Sequence, residues 1–453
     1  MNTATAIRSK SPSVLIIAHG HPHLAPGGGE IVAHQLYLEL RRHVDAHFLG
    51  AMIPQFGLPH CGSALMPAGD DPRQTLYWSD RYNYFLMAQD NLHLMLEEFG
   101  RYLDHVRPDI VHFHHVHNLG VEAIRIVRNI RPEAKILVTL HEFLPICHHN
   151  GQMVKTKSLR LCDKAAPADC HRCFPDIQSG DFFLRERFIK AHFDLVDLFL
   201  CPSHFLLRRY VAWGLPKSKI RYVQNGHVAG DGAIQGTPPP GKNAFAYFGQ
   251  ISPYKGLPVL LDAARNLITR GFCDFRVDIY GAMLFLDAEQ ENVIKRSAEA
   301  VASHVQVHGG YRPKDVVSLM AGVDWVIVPS IWWENAPLVI QEAFAARRPV
   351  ICSGIGGMAE KVRHDVDGLH FRVGDPVALA DTMMRACTEP GLHQRLTRGI
   401  RPVRAMRASA REHLYLYGVI EQACAAGTQP RKENARRRRR RAASPAPQAA
   451  RVS

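Results

Sequence analysis

The chain has 453 residues, of which 46% are hydrophobic, and it carries a formal net charge of +13. This length is too great for one hydrophobic core but sufficient for two domains, and the hydrophobic fraction argues against a disordered protein. No apolar run approaches the roughly 20 residues that a membrane-spanning helix needs. The apolar run at 14–18 is too short for a secretory signal, so we expect a cytoplasmic protein.

Short segments with strand-like composition alternate with longer helical patterns along most of the chain. The predicted strands of the first half are 14–18, 110–114, 136–140, 198–202 and 221–223, and those of the second half are 245–248, 276–280, 305–308, 325–329 and 350–353. This alternation predicts an α/β fold with two Rossmann-like parallel-sheet domains that face each other across a cleft.

The domain boundaries follow from changes in composition. We predict an N-terminal Rossmann-like domain at 12–227, a linker rich in glycine and proline at 228–243, and a C-terminal domain at 244–408. An amphipathic pattern at 413–424 predicts a C-terminal helix, within 409–426, that packs back on the first domain. Residues 427–453 are expected to form a disordered basic tail.

This tail holds most of the positive charge. Nine basic residues and Glu433 give segment 431–453 a net charge of +8, which leaves +5 for the rest of the chain. An arginine run of this kind could bind RNA or the anionic inner face of a membrane, or it could simply be solvated.

Three glycine-containing loops follow predicted strands. Gly27, Gly28 and Gly29 precede a helical pattern in the first domain, segment 249–256 opens a helix in the second, and segment 353–357 follows a later strand. A strand-to-helix junction offers backbone N–H groups to phosphate, and bare glycines allow a ligand to approach closely. Lys255 adds a positive charge to the second loop.

Two glutamates lie eight residues apart after the predicted strand at 324–329. We expect Glu334 in the strand-to-helix loop and Glu342 inside a helix at 338–346. Their spacing brings the carboxylates to nearby faces if the stretch between them is helical. The carboxyl end of a parallel strand is also where open α/β sheets bind ligands. In contrast, Asp365 and Asp367, which have the spacing of a metal-binding motif, are predicted to lie in a turn.

Four of the ten cysteines cluster in an insertion at 145–176, namely Cys147, Cys162, Cys170 and Cys173. In a reducing cytoplasm, this spacing predicts a structural zinc site, with buried or redox-active thiols as the alternative. Nearby histidines could replace one ligand; they are His141, His148, His149 and His171.

From about residue 14 to about residue 425, the sequence resembles the family 4 retaining glycosyltransferases, which have the GT-B fold. The resemblance rests on an ordered set of motifs: the glycine loop with Glu30, Asp109 to His114, Cys201-Pro202-Ser203, Asn225-Gly226, 249–256, Tyr280-Gly281, Pro329-Ser330 and the Glu334–Glu342 spacing. One departure is Gln250, where the family usually has arginine. Gln250 can still donate a hydrogen bond but adds no charge for a diphosphate.

The resemblance implies a role for each motif. It implies that Glu342 binds the donor ribose, that Glu334 lies beside the transferred sugar, and that Lys255 neutralises the leaving diphosphate. His114 matches the active-site histidine of the family, although His112, His115 and His117 crowd the same loop. The remaining donor-binding residues that it implies are Gly28, Gly29, Gln250, Asn335, Ala336, Pro337 and Leu338.

The implied function is retaining transfer of a hexose-type sugar from a nucleotide-sugar donor, bound in the second domain, to an acceptor bound on the side of the first. The acceptor would be a glycan, a lipid-linked sugar or a small molecule, and the pathway would be cell-surface polysaccharide or glycoconjugate synthesis. We expect no catalytic metal, and peripheral membrane contact through the tail. A sugar-nucleotide epimerase or a phosphorylase of the same fold is the alternative. A nucleic-acid-binding protein is a third reading, but a body charge of +5 gives it little support.

Overall fold

The computed structural model describes residues 11–24, 27–57, 62–79, 81–228, 243–283 and 286–420. Nearly all of the predicted linker, the whole predicted basic tail and the last residues of the predicted C-terminal helix lie outside these ranges. None of the helices in the described ranges is long and apolar enough to cross a membrane.

Sixteen strands are present in the described residues. In chain order they are β1 (Ser13–Ala18), β2 (Asp45–Met52), β3 (Leu65–Pro67), β4 (Gln74–Trp78), β5 (Tyr82–Asn83), β6 (Ala88–Gln89), β7 (Ile110–Phe113), β8 (Lys135–Thr139), β9 (Leu198–Cys201), β10 (Ile220–Tyr222), β11 (Ala244–Phe248), β12 (Arg276–Tyr280), β13 (Val305–Gly309), β14 (Trp325–Val328), β15 (Val350–Ser353) and β16 (Gly368–Phe371).

Two large sheets contain all but two of these strands. The first has eight strands in the order β10-β9-β8-β7-β1-β2-β4-β3, and it is parallel except where β3 pairs antiparallel with β4. The second has six parallel strands in the order β13-β12-β11-β14-β15-β16. Strands β5 and β6 form a small hairpin. The predicted fold class, two parallel-sheet α/β domains, is confirmed.

Fifteen α-helices are present in the described residues. In chain order they are α1 (Gly28–Leu40), α2 (Leu92–Leu94), α3 (Gly100–Val106), α4 (Glu122–Ile130), α5 (Pro167–Cys173), α6 (Ser179–Phe193), α7 (His204–Trp213), α8 (Leu257–Thr269), α9 (Ala288–Glu299), α10 (Val316–Ala321), α11 (Leu338–Ala345), α12 (Gly356–Lys361), α13 (Pro376–Thr388), α14 (Leu392–Gly399) and α15 (Met406–Tyr417).

Strands that are apolar along their whole length lie at the sheet centres. Every residue of β1 and of β14 is buried, as is usual for parallel strands that helices cover on both faces. The predicted strands with such runs agree with the structure to within about one residue at each end. Six strands were not predicted from the sequence, namely β2, β3, β4, β5, β6 and β16. The strand β2 begins with a charged residue and contains His47 and Gly50, which weaken the apolar signal.

The C-terminal helix differs from its prediction. It starts at Met406 and ends at Tyr417, where Gly418 adopts a left-handed conformation that stops the helix. The prediction of a helix at 413–424 was therefore placed too far along the chain. Met406, Leu414 and Tyr417 pack in the same core as residues of β1, so this last helix covers the first sheet.

Candidate active site

The carboxyl ends of β11 and β14 bring Lys255 and Glu334 together. Glu334 is only 5% exposed, and its Oε1 accepts hydrogen bonds from the Lys255 Nζ at 2.6 Å, the Ser330 Oγ at 2.8 Å and the Trp332 Nε1 at 3.0 Å. These three donors fix the orientation of the carboxylate. The carboxylate in turn fixes the position of the Lys255 ammonium group, and the Lys255 side chain is one-third exposed.

Gly256 allows this contact to form. It has a φ of +74°, and a Cβ atom at this position would lie 1.9 Å from the carbonyl oxygen of Pro329. Only glycine fits here, because the loop after β11 packs directly against the end of β14. Lys255 is therefore positioned by the close approach of two loops. Gln250, at the other end of the same loop, is exposed.

Glu342 lies on α11 and has a different environment. Its carboxylate makes no hydrogen bond or ion pair with any residue in the described ranges, and burial raises the pKa of Glu342 to about 7. A half-buried carboxylate without a protein partner is suited to accepting hydrogen bonds from ligand hydroxyls. The prediction that this glutamate lies inside a helix is confirmed.

The condition under which helical spacing would bring Glu334 and Glu342 to nearby faces is not met. Residues 331–337 form a loop, and the helix begins only at Leu338, after Pro337. Proline disfavours a helical conformation in the residue before it, so the helix cannot extend back toward Glu334. The two carboxylates are therefore placed by a strand-to-helix loop and a helix, and not by one helical face.

The loop after β14 also contacts the first domain. The Asn335 Nδ2 donates a hydrogen bond to the carbonyl oxygen of His141 at 3.0 Å, and Ser203 Oγ hydrogen bonds to Asn335 Oδ1. A Cβ atom on Gly28 would lie 3.7 Å from the side chain of Leu338. The first glycine loop and the start of α11 thus face each other across the cleft, with no side chain on the glycine to separate them.

His114 is buried near this contact and is linked to the glycine loop through His141. It is 2% exposed, and its Nδ1 lies 3.0 Å from the Nε2 of His141. His141 lies against Gly29, where a Cβ atom would be 3.9 Å from the imidazole. Burial lowers the pKa of His114 well below its usual value, and lowers that of His141 to about 3. Both rings are therefore neutral near pH 7.

The structure separates the histidines that the sequence left unranked. His112 hydrogen bonds to Tyr417 and Thr139, both at 2.7 Å, and belongs to the packing of the last helix. His115 lies 3.0 Å from the carboxylate of Glu142. His117 packs against tyrosine rings, and burial lowers its pKa to about 3.

Sequence reasoning missed the acidic partners of these histidines. His19 Nε2 lies 2.8 Å from Glu30 Oε1, and although burial opposes the charged imidazolium, Glu30 raises the pKa of His19. Burial raises the pKa of Glu142 to about 7. His19 and His114 directly follow strands of the first sheet, and Glu142 lies three residues after the end of β8; this shared position at the carboxyl edge is the signal that could have grouped them.

The four clustered cysteines line one small cavity of about 20 Å³ together with apolar residues of the insertion. All four thiols are free, and burial raises the pKa of Cys147 to about 11. Within the described ranges, no three histidine, cysteine or acidic side chains are arranged to hold a metal ion. The geometry therefore does not support the predicted zinc site.

The turn at Asp365 and Asp367 has structural partners, as predicted for a turn. Asp367 is buried and pairs with Arg363 at 2.7 Å, and Asp365 pairs with Arg385 at the same distance. Both carboxylates are occupied by arginines, and neither is free to bind a metal–diphosphate group.

Comparison with known families places this site in context. Residues 26–227 match the family described as "Glycosyltransferase Family 4", and residues 234–402 match "Glycosyl transferases group 1". Together the two matches cover the second sheet and every strand of the first sheet except β1. The chain belongs to the family 4 glycosyltransferases. This membership confirms the resemblance found in the sequence. The function class that it supports is a glycosyltransferase that uses a nucleotide-sugar donor.

Curated relatives are distant. The lipopolysaccharide 1,2-N-acetylglucosaminetransferase of Salmonella typhimurium is 24% identical over 281 residues, which are 59% of this chain and 69% of the relative. A D-inositol 3-phosphate glycosyltransferase of Salinispora tropica is 31% identical, but the match spans only 34% of this chain and 33% of the relative. The substrates of these enzymes are therefore not transferred to this chain.

Solved structures agree on the fold. A sucrose-phosphate synthase from Thermosynechococcus elongatus has a TM-score of 0.67 at 18% identity and covers 90% of this chain and 99% of its own. HepE of Anabaena, solved with UDP and glucose, has a TM-score of 0.61 at 14% identity and covers 90% of this chain and 100% of its own. At such identities the likeness shows the GT-B fold alone.

Proposed function

We propose that this chain is a retaining glycosyltransferase that moves a hexose-type sugar to a glycan, lipid-linked or small-molecule acceptor, in cell-surface polysaccharide or glycoconjugate synthesis. One observation carries the proposal. The carboxyl edge of the second sheet combines a lysine held by a buried glutamate with a second glutamate that has no partner in the described ranges. This combination provides a cation for a diphosphate and a free acceptor for ribose hydroxyls.

In the reaction, the bond between the anomeric carbon and the diphosphate oxygen breaks, and the acceptor oxygen bonds to that carbon on the same face. The acceptor proton passes to the departing diphosphate. Negative charge develops on the leaving group, and we assign the stabilisation of that charge to Lys255. Gly28 and Gly29 would allow the diphosphate to approach the first domain, and Gln250 would add an uncharged donor.

The loop after β14 would surround the transferred sugar. Glu334 is fixed by its three donors, and the backbone amides of Asn335, Ala336 and Leu338 precede or open α11, where the helix dipole favours an anion. Pro337 has no N–H group, so its contribution would be to the shape of the loop.

His114 is proposed to act as a positioning residue. Because it is buried behind its contact with His141, it would orient the neutral imidazole of His141, which lies against the first glycine loop. A neutral imidazole can hydrogen bond to a sugar hydroxyl without adding charge to the acceptor side.

Donor hydrolysis and product stereochemistry test the proposal. A panel of UDP-, GDP- and ADP-sugars should reveal one donor that the wild-type chain hydrolyses, and the released sugar should keep the anomeric configuration of the donor by NMR. The Glu342→Ala variant should lose nucleotide affinity in calorimetry, whereas Glu334→Ala should lose turnover with a smaller effect on affinity. An inverted product, or unchanged nucleotide affinity in Glu342→Ala, would contradict these assignments.

A structural zinc ion in the insertion is proposed on the chemistry of its donors alone. Four thiols line one cavity, and structural Zn²⁺ sites use four such ligands. Binding would have to draw the thiols closer together, and would then stabilise the first domain. We expect elemental analysis to find about one zinc per chain, and Cys170→Ser to remove it. If protein prepared without chelator contains no metal, the zinc proposal is wrong and the four thiols serve only in packing.

The basic tail is proposed to bind anionic membrane through its charge. Each basic residue near such a surface contributes about 1 kcal/mol, and the effect is screened by salt. Deletion of 431–453 should abolish salt-sensitive binding to phosphatidylserine vesicles and leave transfer to a soluble acceptor unchanged. Equal vesicle binding by the deleted chain would exclude this role.

A further inference from the structure

A second cavity lies on the cysteine-rich insertion, outside the proposed donor site. Its volume is about 740 Å³, and its lining includes Lys155, Lys157, Arg160 and Arg172, with Asp169 as the only acidic residue. Cavities of this size hold small molecules or single headgroups. The lining predicts a ligand of opposite charge.

Three of the four cations in this cavity have no acidic partner. Arg172 pairs with Asp169, but the side chains of Lys155, Lys157 and Arg160 make no hydrogen bond or ion pair with any residue in the described ranges. Three unpaired cations around one concave surface repel each other, and a bound polyanion would relieve that repulsion.

The local backbone holds these cations in place. Residues 154 and 161 form an antiparallel bridge, Lys155 N–H donates to the carbonyl of Arg160 at 2.8 Å, and Thr156 Oγ donates to the carbonyl of Cys173 at 2.9 Å. A tight turn therefore presents the cations and is tied to α5. Such a constrained turn requires less ordering on ligand binding than a free loop.

The insertion also reaches the proposed active site. The carbonyl of Cys162, next to the bridge, accepts a hydrogen bond from Trp333 Nε1 at 3.1 Å, and Trp333 directly precedes Glu334. On the other side, His149 Nε2 lies 2.9 Å from the hydroxyl of Tyr254, which directly precedes Lys255. The basic cavity is thus on a segment that contacts both loops of the lysine–glutamate pair.

We infer that this cavity binds a phosphate or diphosphate group carried by the acceptor, so that the acceptor of this enzyme is anionic near its reacting sugar. The assignment of the ligand as the acceptor rests on the proposed transferase function. The anion site itself rests only on the residues of the insertion. A diphosphate that links two groups carries two negative charges, which the three unpaired cations are sufficient to neutralise. Inorganic phosphate or pyrophosphate shares this chemistry and is distinguished from an acceptor by the second measurement below.

The first measurement is calorimetric binding of inorganic pyrophosphate to full-length Lys255→Ala protein, in which the donor-site cation is removed. We expect saturable binding that weakens at least about tenfold when Lys157→Ala and Arg160→Ala are added, since two charge-assisted contacts are lost. Lys164→Ala, which removes an exposed cation of the insertion that does not line the cavity, should have no effect. Equal affinity in all of these proteins would overturn the anion site.

The second measurement compares matched acceptor sugars with and without a diphosphate-linked alkyl chain. Wild-type protein should prefer the diphosphate member, and the Lys157→Ala/Arg160→Ala variant should lose this preference at an unchanged rate of donor hydrolysis. Pyrophosphate binding without any acceptor preference would show a site for free phosphate and overturn the acceptor assignment. Loss of donor hydrolysis in Lys255→Ala is independent of both results and tests the proposed function alone.

Discussion

The carboxyl edges of the two sheets carry different electrostatics. At the first sheet, burial keeps the imidazoles of His114 and His141 neutral, whereas His19, whose pKa is raised, is paired with Glu30. At the second sheet, the partly exposed ammonium group of Lys255 pairs with Glu334, and the carboxylate of Glu342 has no partner in the described ranges. The first sheet therefore presents neutral imidazoles and one ion pair, whereas the second sheet presents the partly exposed cation that the proposed function assigns to the diphosphate.

The largest expected effect comes from removing the cation of the second sheet. Lys255→Ala should lower kcat/KM by about 10²- to 10³-fold, because a preorganised charge at the leaving group is lost and Glu334 is left buried without its cation. Steady-state kinetics with a hydrolysable donor measures this. Lys314→Ala, an exposed lysine of the same domain, is the matched control. If the two variants behave alike, the loop after β11 is only a turn.

The second prediction concerns the pH dependence of nucleotide binding. Glu342 has a pKa of about 7 in the free protein, and ribose hydroxyls that donate to it would favour the carboxylate and lower that pKa. Nucleotide affinity should therefore rise by up to about tenfold per pH unit as the pH approaches 7 from below, and level off above it. Calorimetry at several pH values measures this effect.

Two variants assign this pH dependence to one sheet. Glu342→Gln should remove it and weaken binding about tenfold, because the charged acceptor is lost. Glu142→Gln, at a residue of the first sheet whose pKa is also raised to about 7, should leave it unchanged. If Glu142→Gln removes it instead, the titrating group is on the first domain.

The sequence predicted those features of the two sheet edges that depend on residues close together in the chain. Strands with continuous apolar runs and the loops after them were found, because burial on both faces and glycine-containing turns leave local signals. Glu334 and Glu342 were correctly assigned to a loop and a helix.

Contacts between distant residues could not be read in the same way. The Lys255–Glu334 pair joins residues 79 positions apart and depends on the packing of Gly256 against Pro329. Strand β16 was not predicted, because it is four residues long and starts with glycine. The three-dimensional arrangement of the four cysteines likewise did not follow from their spacing.

The third prediction tests whether the neutral imidazoles of His114 and His141 contribute to activity as one unit. His141→Ala and His114→Ala should each lower kcat/KM about tenfold, and the double variant should be no worse than either single variant, because the buried ring acts through the other. His93→Ala, an exposed histidine of the first domain, is the control. Effects that multiply in the double variant would show that His114 contacts the substrate directly.

The smallest expected effect comes from adding a cation to the second sheet. Gln250 is exposed and lies at the end of β11, on the same loop as Lys255, so Gln250→Arg should be accommodated without repacking. An exposed ion pair contributes about 0.2–1 kcal/mol, so nucleotide affinity should improve by no more than about fivefold and the gain should fall at high salt. Gln250→Met, which is similar in length but uncharged, should show no gain. Calorimetry of nucleoside diphosphate binding at low and high salt separates these cases: unchanged affinity in Gln250→Arg would mean that the added charge does not act on the diphosphate, and a loss of affinity would mean that the arginine interferes with its binding.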